Sequence, residues 1–320
     1  MIAYIGKRLL ALPLMLLFVT FVTFSLIYFI PGDVSDILIG MSAGDTTELR
    51  EQLKEQYGLN DPFIVQYGRW LLHAVSGDLG TSLIRGTSVF DEIVQRLGVT
   101  IELAVFAIAL ALLLGIGLAL LASRFRDSWL DRTVMLFSAL GMSVPNFFIG
   151  TLIILSLSLY VPQISLQYAS LSEGWFLHLS SLFFPALSLA LGIACTFSRY
   201  LRNSMEEVLG RQDYIRTAFA KGAGFNRVIF IHAFRNALIP LVTVAGMQFA
   251  FLIGGTVVIE TIFSLPGVGR LIISSIGLRD YPIVQGGVVL LTLAFILVNL
   301  FVDLLYPLLN PRIRLDEGSG

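Results

Sequence analysis

The chain has 320 residues, 56% of them hydrophobic and 13% charged, with a mean hydropathy of +0.83 and a formal charge of −1. A soluble domain carries about a quarter charged residues, so this composition excludes an ordinary soluble protein. The near-zero net charge gives no footprint for nucleic acid, and the single cysteine, Cys195, excludes an intrachain disulfide.

The first uncharged run is Leu9 to Ile30, preceded by Lys7 and Arg8. It exceeds the roughly 7–15 residues of a signal-peptide core, and no small-residue cleavage site follows it. About 20 apolar residues cross a bilayer, so the run reads as a retained first span. Further spans are expected near 103–123, 134–160, 181–199, 237–259 and 283–302. The expected fold is therefore an all-α integral membrane protein with six transmembrane helices. Its layout is a first helix with the N-terminus (1–30), a long extracytoplasmic segment (31–98), a five-helix transmembrane domain (99–310) containing a polar loop at 200–235, and a tail (311–320).

Lys and Arg set the orientation. Fourteen lie at the N-terminus, in the 124–132 and 199–235 loops and in the tail, against seven on the other side, five of which fall in one long loop. The positive-inside rule then puts both termini and the 199–235 loop in the cytoplasm. The 31–98 segment is acidic, with ten Asp or Glu against five Lys or Arg, and its stretch "LREQLKEQYGLNDPFIVQYGRWL" has apolar residues near helical spacing, interrupted by Gly58 and Pro62. Helical hairpins packed on the bundle are expected there, since loops this long rarely lack structure.

The stretch "DYIRTAFAKGAGFNRVIFIHAFRNALIP", Asp213 to Pro240, is basic and lies between two apolar runs. Asp213 reads as an N-cap and Gly222 as a C-terminal stop for a short helix over Tyr214–Lys221. Tyr214, Ala218 and Lys221 would share one face, and Ile215 and Phe219 another. So short a helix needs a surface to pack on. A groove on another protein and the headgroups of a lipid surface both suit it.

Several chemistries are missing. The only Gly-Lys pair, Gly6-Lys7, lacks the upstream glycine of a phosphate-binding loop, so no nucleotide site is expected. The three histidines, His73, His178 and His232, are scattered and read as polar surface groups, so neither a metal site nor a catalytic residue nor a cofactor is expected. An ion-coupled carrier keeps ionisable groups at mid-membrane; here Glu260 and Asp303 fall at span ends. "SVPNFFIG" is the one candidate for a broken helix of the kind such carriers use, and it reads first as a kink at Pro145 in the third span. The Gly-rich runs "LLLGIGLALLAS" and "FLIGGTVV" allow close helix approach, within the chain or with a partner.

One resemblance covers nearly the whole chain. "DYIRTAFAKG" with "HAFRNALIP" is similar to the coupling (EAA) loop of bacterial ABC importer permeases, in the variant of the dipeptide, oligopeptide and nickel importers. Arg216, Thr217 and Ala218 stand at the E-A-A positions, so one alanine is kept. His232 to Arg235 stand at the I-x-L-P positions, and the proline comes later at Pro240. "FIPGDV", "YGLNDPFIVQY", "GDLGTSL", "SVPNFFIG", "GGTVVIETIFSLPGVGR", "RDYPIVQGG" and "VNLFVDLLYPLLNPRIR" follow in the order that family shows.

The resemblance implies an inner-membrane permease chain with a second permease partner, two cytoplasmic ATP-hydrolysing subunits and an extracytoplasmic solute-binding protein. It implies that Asp213, Tyr214, Thr217, Ala218, Phe219, Lys221 and Gly222 couple to the ATPases. Pro266, Gly267, Gly269 and Arg270 become candidate contacts for the binding protein. Di- and oligopeptides are the first expected cargo, and nickel, a nickel chelate or glutathione the alternatives.

Overall fold

The computed structural model describes residues 2–28, 51, 55, 60–163 and 167–309. Among them the one strand-like pairing is an isolated bridge from Thr81 to Ser88, so the described fold is all-α. In chain order the helices are α1 (Ile2–Tyr28), α2 (Phe63–Val75), α3 (Val89–Arg124), α4 (Trp129–Ser143), α5 (Asn146–Tyr160) and α6 (Trp175–Arg211). There follow α7 (Asp213–Ala220), α8 (Phe234–Gly255), α9 (Val257–Ile262), α10 (Val268–Gly277) and α11 (Tyr281–Leu309). A helical turn at Phe225–Arg227 and a π-helical segment at Val228–Ala233 lead into α8.

Among the described residues four stretches are long and apolar enough to cross a membrane: Val89–Arg124, Trp175–Gly210, Phe225–Gly255 and Tyr281–Val302. A fifth arises only if α4 and α5 are counted as one span. That pair corrects the reading of "SVPNFFIG" as a kink, because the two helices meet at 98°. Pro145 has no N–H to give and forces Val144 out of helical geometry, so both adopt extended backbone (ψ 124° and 136°). The helix restarts when the amides of Phe148 and Ile149 donate to the Pro145 carbonyl, at 3.0 and 3.3 Å.

A second correction concerns 199–211, expected as loop. Helix α6 runs through it to Arg211. Phe197, Leu201 and Met205 recur every fourth residue and are fully buried, so the apolar stripe continues after charged residues appear.

The chain forms two compact units, described separately. One comprises residues 1–98 and 266–294. In it α2 presents Phe63, Tyr67 and Trp70 along one stripe to Phe21 and Phe24 of α1, with edge-on ring pairs at 5.4–5.7 Å for Phe21 and Phe24 against Phe63 and Tyr67. Thr20 and Tyr67 share a 2.9 Å hydrogen bond. Of the helical hairpins expected at 31–98, α2 and the start of α3 are the described helices; 31–50, 52–54 and 56–59 lie outside the described residues. Leu79, Val89, Ile93, Val268, Leu271 and Ile283 form this unit's core. Gly286 is essential to it, since a Cβ there would stand 2.6 Å from Val89 Cγ1.

The other unit comprises 99–265 and 295–320. Its core is a seam of small residues, Ala104, Ala107 and Ala111 of α3 with Ala186, Ala190 and Ala194 of α6, flanked by Leu103, Leu189 and Phe197. Small residues let helix backbones approach closely where lipid gives no hydrophobic push between helices. Gly115 of the "LLLGIGLALLAS" run belongs here, because a Cβ would meet Ala194 O at 2.8 Å and Phe197 Cβ at 2.7 Å. Gly117 and Gly254 face open space.

Candidate functional site

The stretch 213–240 folds as a helix, a reversal and a re-entry. Asp213 is the first residue of α7 and caps nothing. The cap position is held by Gln212, whose side chain makes no capping bond. Asp213 still places a negative charge in the first turn, where the helix dipole favours it. At the other end the expected stop is present. Gly222 has φ +82°, its amide donates to Phe219 O (2.9 Å), and Ala223 N donates to Ala218 O (3.1 Å). These two bonds are the Schellman pattern, which needs a left-handed residue at that glycine.

Ile215 is the only buried residue of α7, at 1% exposure. Tyr214, Thr217 and Phe219 are exposed, Ala218 half-buried, and Lys221 and Gly222 exposed at the turn. Ile215 and Phe219, expected on one face, therefore part company: one is the anchor and the other faces out. Phe219 stacks on Phe225 at 6.5 Å, and the Arg124 guanidinium sits 6.0 Å from the Phe225 ring. Asn236 Nδ2 donates to Tyr214 Oη at 2.9 Å, leaving the phenol hydrogen directed elsewhere. Partial burial raises the Tyr214 phenol above its ordinary range, and the bond from Asn236 acts against that rise.

A charged clamp that the sequence reading missed lies at the ends of α4 and α6. Arg202 grips Asp131 with two nitrogens (3.2 and 2.9 Å) and also reaches Glu206, while Arg126 bonds Glu206 at 3.2 Å. Asp131 is 3% exposed and also accepts from Asp127 N (3.1 Å), whose φ is +61°. The local signal was Ser128 three residues before Asp131, a capping pattern that the structure forms, with Asp131 N donating to Ser128 Oγ.

Residues 111–315 match the family described as "binding-protein-dependent transport system inner membrane component", and residues 1–104 match its N-terminal companion. The chain belongs to this family of transport permeases. The permease is 38% identical to the dipeptide transport system permease protein DppB of Alkalihalophilus pseudofirmus, over 98% of this chain and all of that one. It is 41% identical to a putative peptide transport system permease protein of Brucella abortus, over 99% of this chain and all of the relative. Identity is 37% to the glutathione transport system permease protein GsiC of Salmonella paratyphi A, over 98% and 99% of the two chains. The resemblance read from the motifs is thus correct, and the permease is a multi-pass inner-membrane protein.

The remaining expectations fall unevenly on the permease. Gly267 and Gly269 are buried at the start of α10, whereas Pro266 is half-buried and Arg270 exposed. His178 corrects the reading of the histidines as surface groups. It is 5% exposed, Nδ1 carries a hydrogen to Ala169 O (2.9 Å), and Nε2 lies 3.5 Å from Glu102. Among the described residues no three metal-ligating side chains converge. Glu260, placed near an interface by its sequence position, is fully buried and accepts from Thr100 (2.8 Å) and Thr256 (2.9 Å).

Proposed function

We propose that this permease forms half of a peptide translocation path, paired with a second permease chain and driven by two ATP-hydrolysing subunits that dock on α7. The observation carrying the docking assignment is the anchoring of α7. A two-turn helix is fastened to its own chain through Ile215, while Tyr214, Thr217 and Phe219 face outward. A helix this short does not persist without a surface to pack on, and its exposed aromatic and hydroxyl groups suit a protein groove. Asp213, Ala218, Lys221 and Gly222 complete that contact, with Gly222 setting its angle.

The uncharged runs of the sequence support the six-span layout, and the Lys and Arg distribution supports both termini in the cytoplasm with the 31–98 segment outside. In this reading Pro266 and Arg270 meet the solute-binding protein, with Gly267 and Gly269 shaping the turn that presents them. ATP binding closes the two ATPases, and their displacement is passed through α7 to the bundle. The peptide assignment rests on relatives named for dipeptide and peptide transport, and glutathione, itself a tripeptide, is the second cargo on the same ground.

Reconstitution of the full complex in proteoliposomes tests both levels. ATP-dependent uptake of a labelled dipeptide, lost when the ATPase subunits are omitted, supports the importer. Uptake driven by an ion gradient through the permease alone overturns it. Gly222→Asp is expected to abolish uptake while the chain stays inserted and paired, and undiminished uptake in that variant refutes the coupling role of α7.

A further inference from the structure

Between the start of α5, the middle of α6 and the second half of α8 lies a cavity of about 180 Å³. Met142 and Val144 at the α4–α5 break also line it. Its polar lining is Asn146, the first residue of α5, with Thr196 of α6 and Gln248 of α8; Leu189 and Phe251 are among its apolar walls. No carboxylate, imidazole, thiol or cationic side chain lines it.

The amides are the informative groups. Thr196 spends its hydroxyl hydrogen on Gly192 O at 3.2 Å. The side chains of Asn146 and Gln248, both half-buried, make no hydrogen bond among the described residues. Neither amide is sealed away from the cavity it lines, and polar groups retained within membrane segments mark the routes of polar solutes. Gly192 makes room for one of them, since a Cβ there would lie 2.9 Å from Asn146 Oδ1.

We propose that this cavity is a station on the transport path that holds cargo through its peptide groups. The inference rests on the peptide-permease reading and extends it to named residues. Each free amide carries both a donor and an acceptor, the complement of a peptide C=O and N–H. Phe251 and Leu189 give apolar contact that accepts many side chains without selecting among them. Drug-sized ligands fill about 300–1,000 Å³, so this space takes a segment of a peptide in transit. A bare divalent cation finds none of the carboxylate, imidazole or thiolate ligands it prefers.

The test uses the complete complex with its binding protein and ATPases, in a Cys195→Ala background. Asn146→Cys and Gln248→Cys are exposed to a membrane-impermeant, positively charged thiol reagent during ATP turnover, with and without trialanine. Both positions are expected to label, and trialanine to slow labelling several-fold, while Leu155→Cys on the exposed face of α5 stays unlabelled. Absence of labelling, or labelling that trialanine leaves unchanged, overturns the proposal. Asn146→Asp is nearly isosteric and gives a second measurement. It is expected to raise uptake of a lysine-containing tripeptide relative to trialanine several-fold, and an unchanged ratio counts against a cargo contact at this position. If the unsubstituted complex imports no trialanine, the peptide reading itself fails and takes this inference with it; if import is normal and labelling absent, only the cavity assignment fails.

Discussion

Ile215 shows how much can hang on one side chain. It is the single buried residue of α7, and its neighbours Tyr214, Arg216 and Thr217 are exposed. Removing a buried Ile side chain down to Ala costs about 2–5 kcal/mol, which exceeds what an eight-residue helix supplies on its own. Ile215→Ala is therefore expected to leave the bundle folded but α7 unfastened. Hydrogen exchange of the 213–222 amides should then accelerate while the amides of α6 and α8 stay protected. Gly222 acts through backbone rather than packing, because a Cβ there meets nothing within 4 Å and the obstacle is φ +82°. This glycine was legible in the sequence because a left-handed helix stop depends on a local pattern. Ile215's role as anchor was not, because the fate of one apolar residue among exposed aromatics depends on what packs beneath it. Asp213 misled for a related reason: a cap residue one position early and one inside the helix look alike until the backbone angles are known.

At the scale of elements, hydropathy located most of the apolar segments but is blind to direction. The 134–160 run is uncharged throughout, yet α4 and α5 diverge by 98° within it. Charge misled in the opposite sense at α6, where Arg199 and Arg202 mark an end of the apolar run but not of the helix. The helix persists because Arg202 has a buried partner 71 residues earlier in Asp131, a pairing that no local pattern announces. Breaking a buried ion pair by deleting one member costs about 3–5 kcal/mol, whereas replacing both by apolar groups is often neutral. Asp131→Leu and Arg202→Met are each expected to lower the thermal midpoint of the detergent-solubilised complex. The double substitution should lie closer to wild type than either single one. Additive losses in that cycle would show that the two side chains do not act as a pair.

At the scale of the whole molecule, buried acidic residues tie together stretches distant in sequence. Glu260 meets Thr100, and Asp280 accepts bonds from Ser82 Oγ and from Leu83 N (3.1 Å), with Arg85 3.9 Å away. Motif order alone linked "GDLGTSL" and "RDYPIVQGG" to one family, but their physical contact was not legible because the partners are 198 residues apart. Asp280→Ala leaves the Ser82 hydroxyl and the Leu83 amide without their acceptor, at about 1–3 kcal/mol for the buried hydroxyl and less for the half-buried amide. Limited proteolysis of the purified protein should then cut within 76–88 sooner than in the wild type. The same bond dictates a timetable for biogenesis. Ribosomes add about 5–20 residues per second, so the Ser82 loop is made about 10–40 s before Asp280, 198 residues later. For that interval the nascent loop has no latch, and a chain stalled before residue 280 would present it to every quality-control protease within reach.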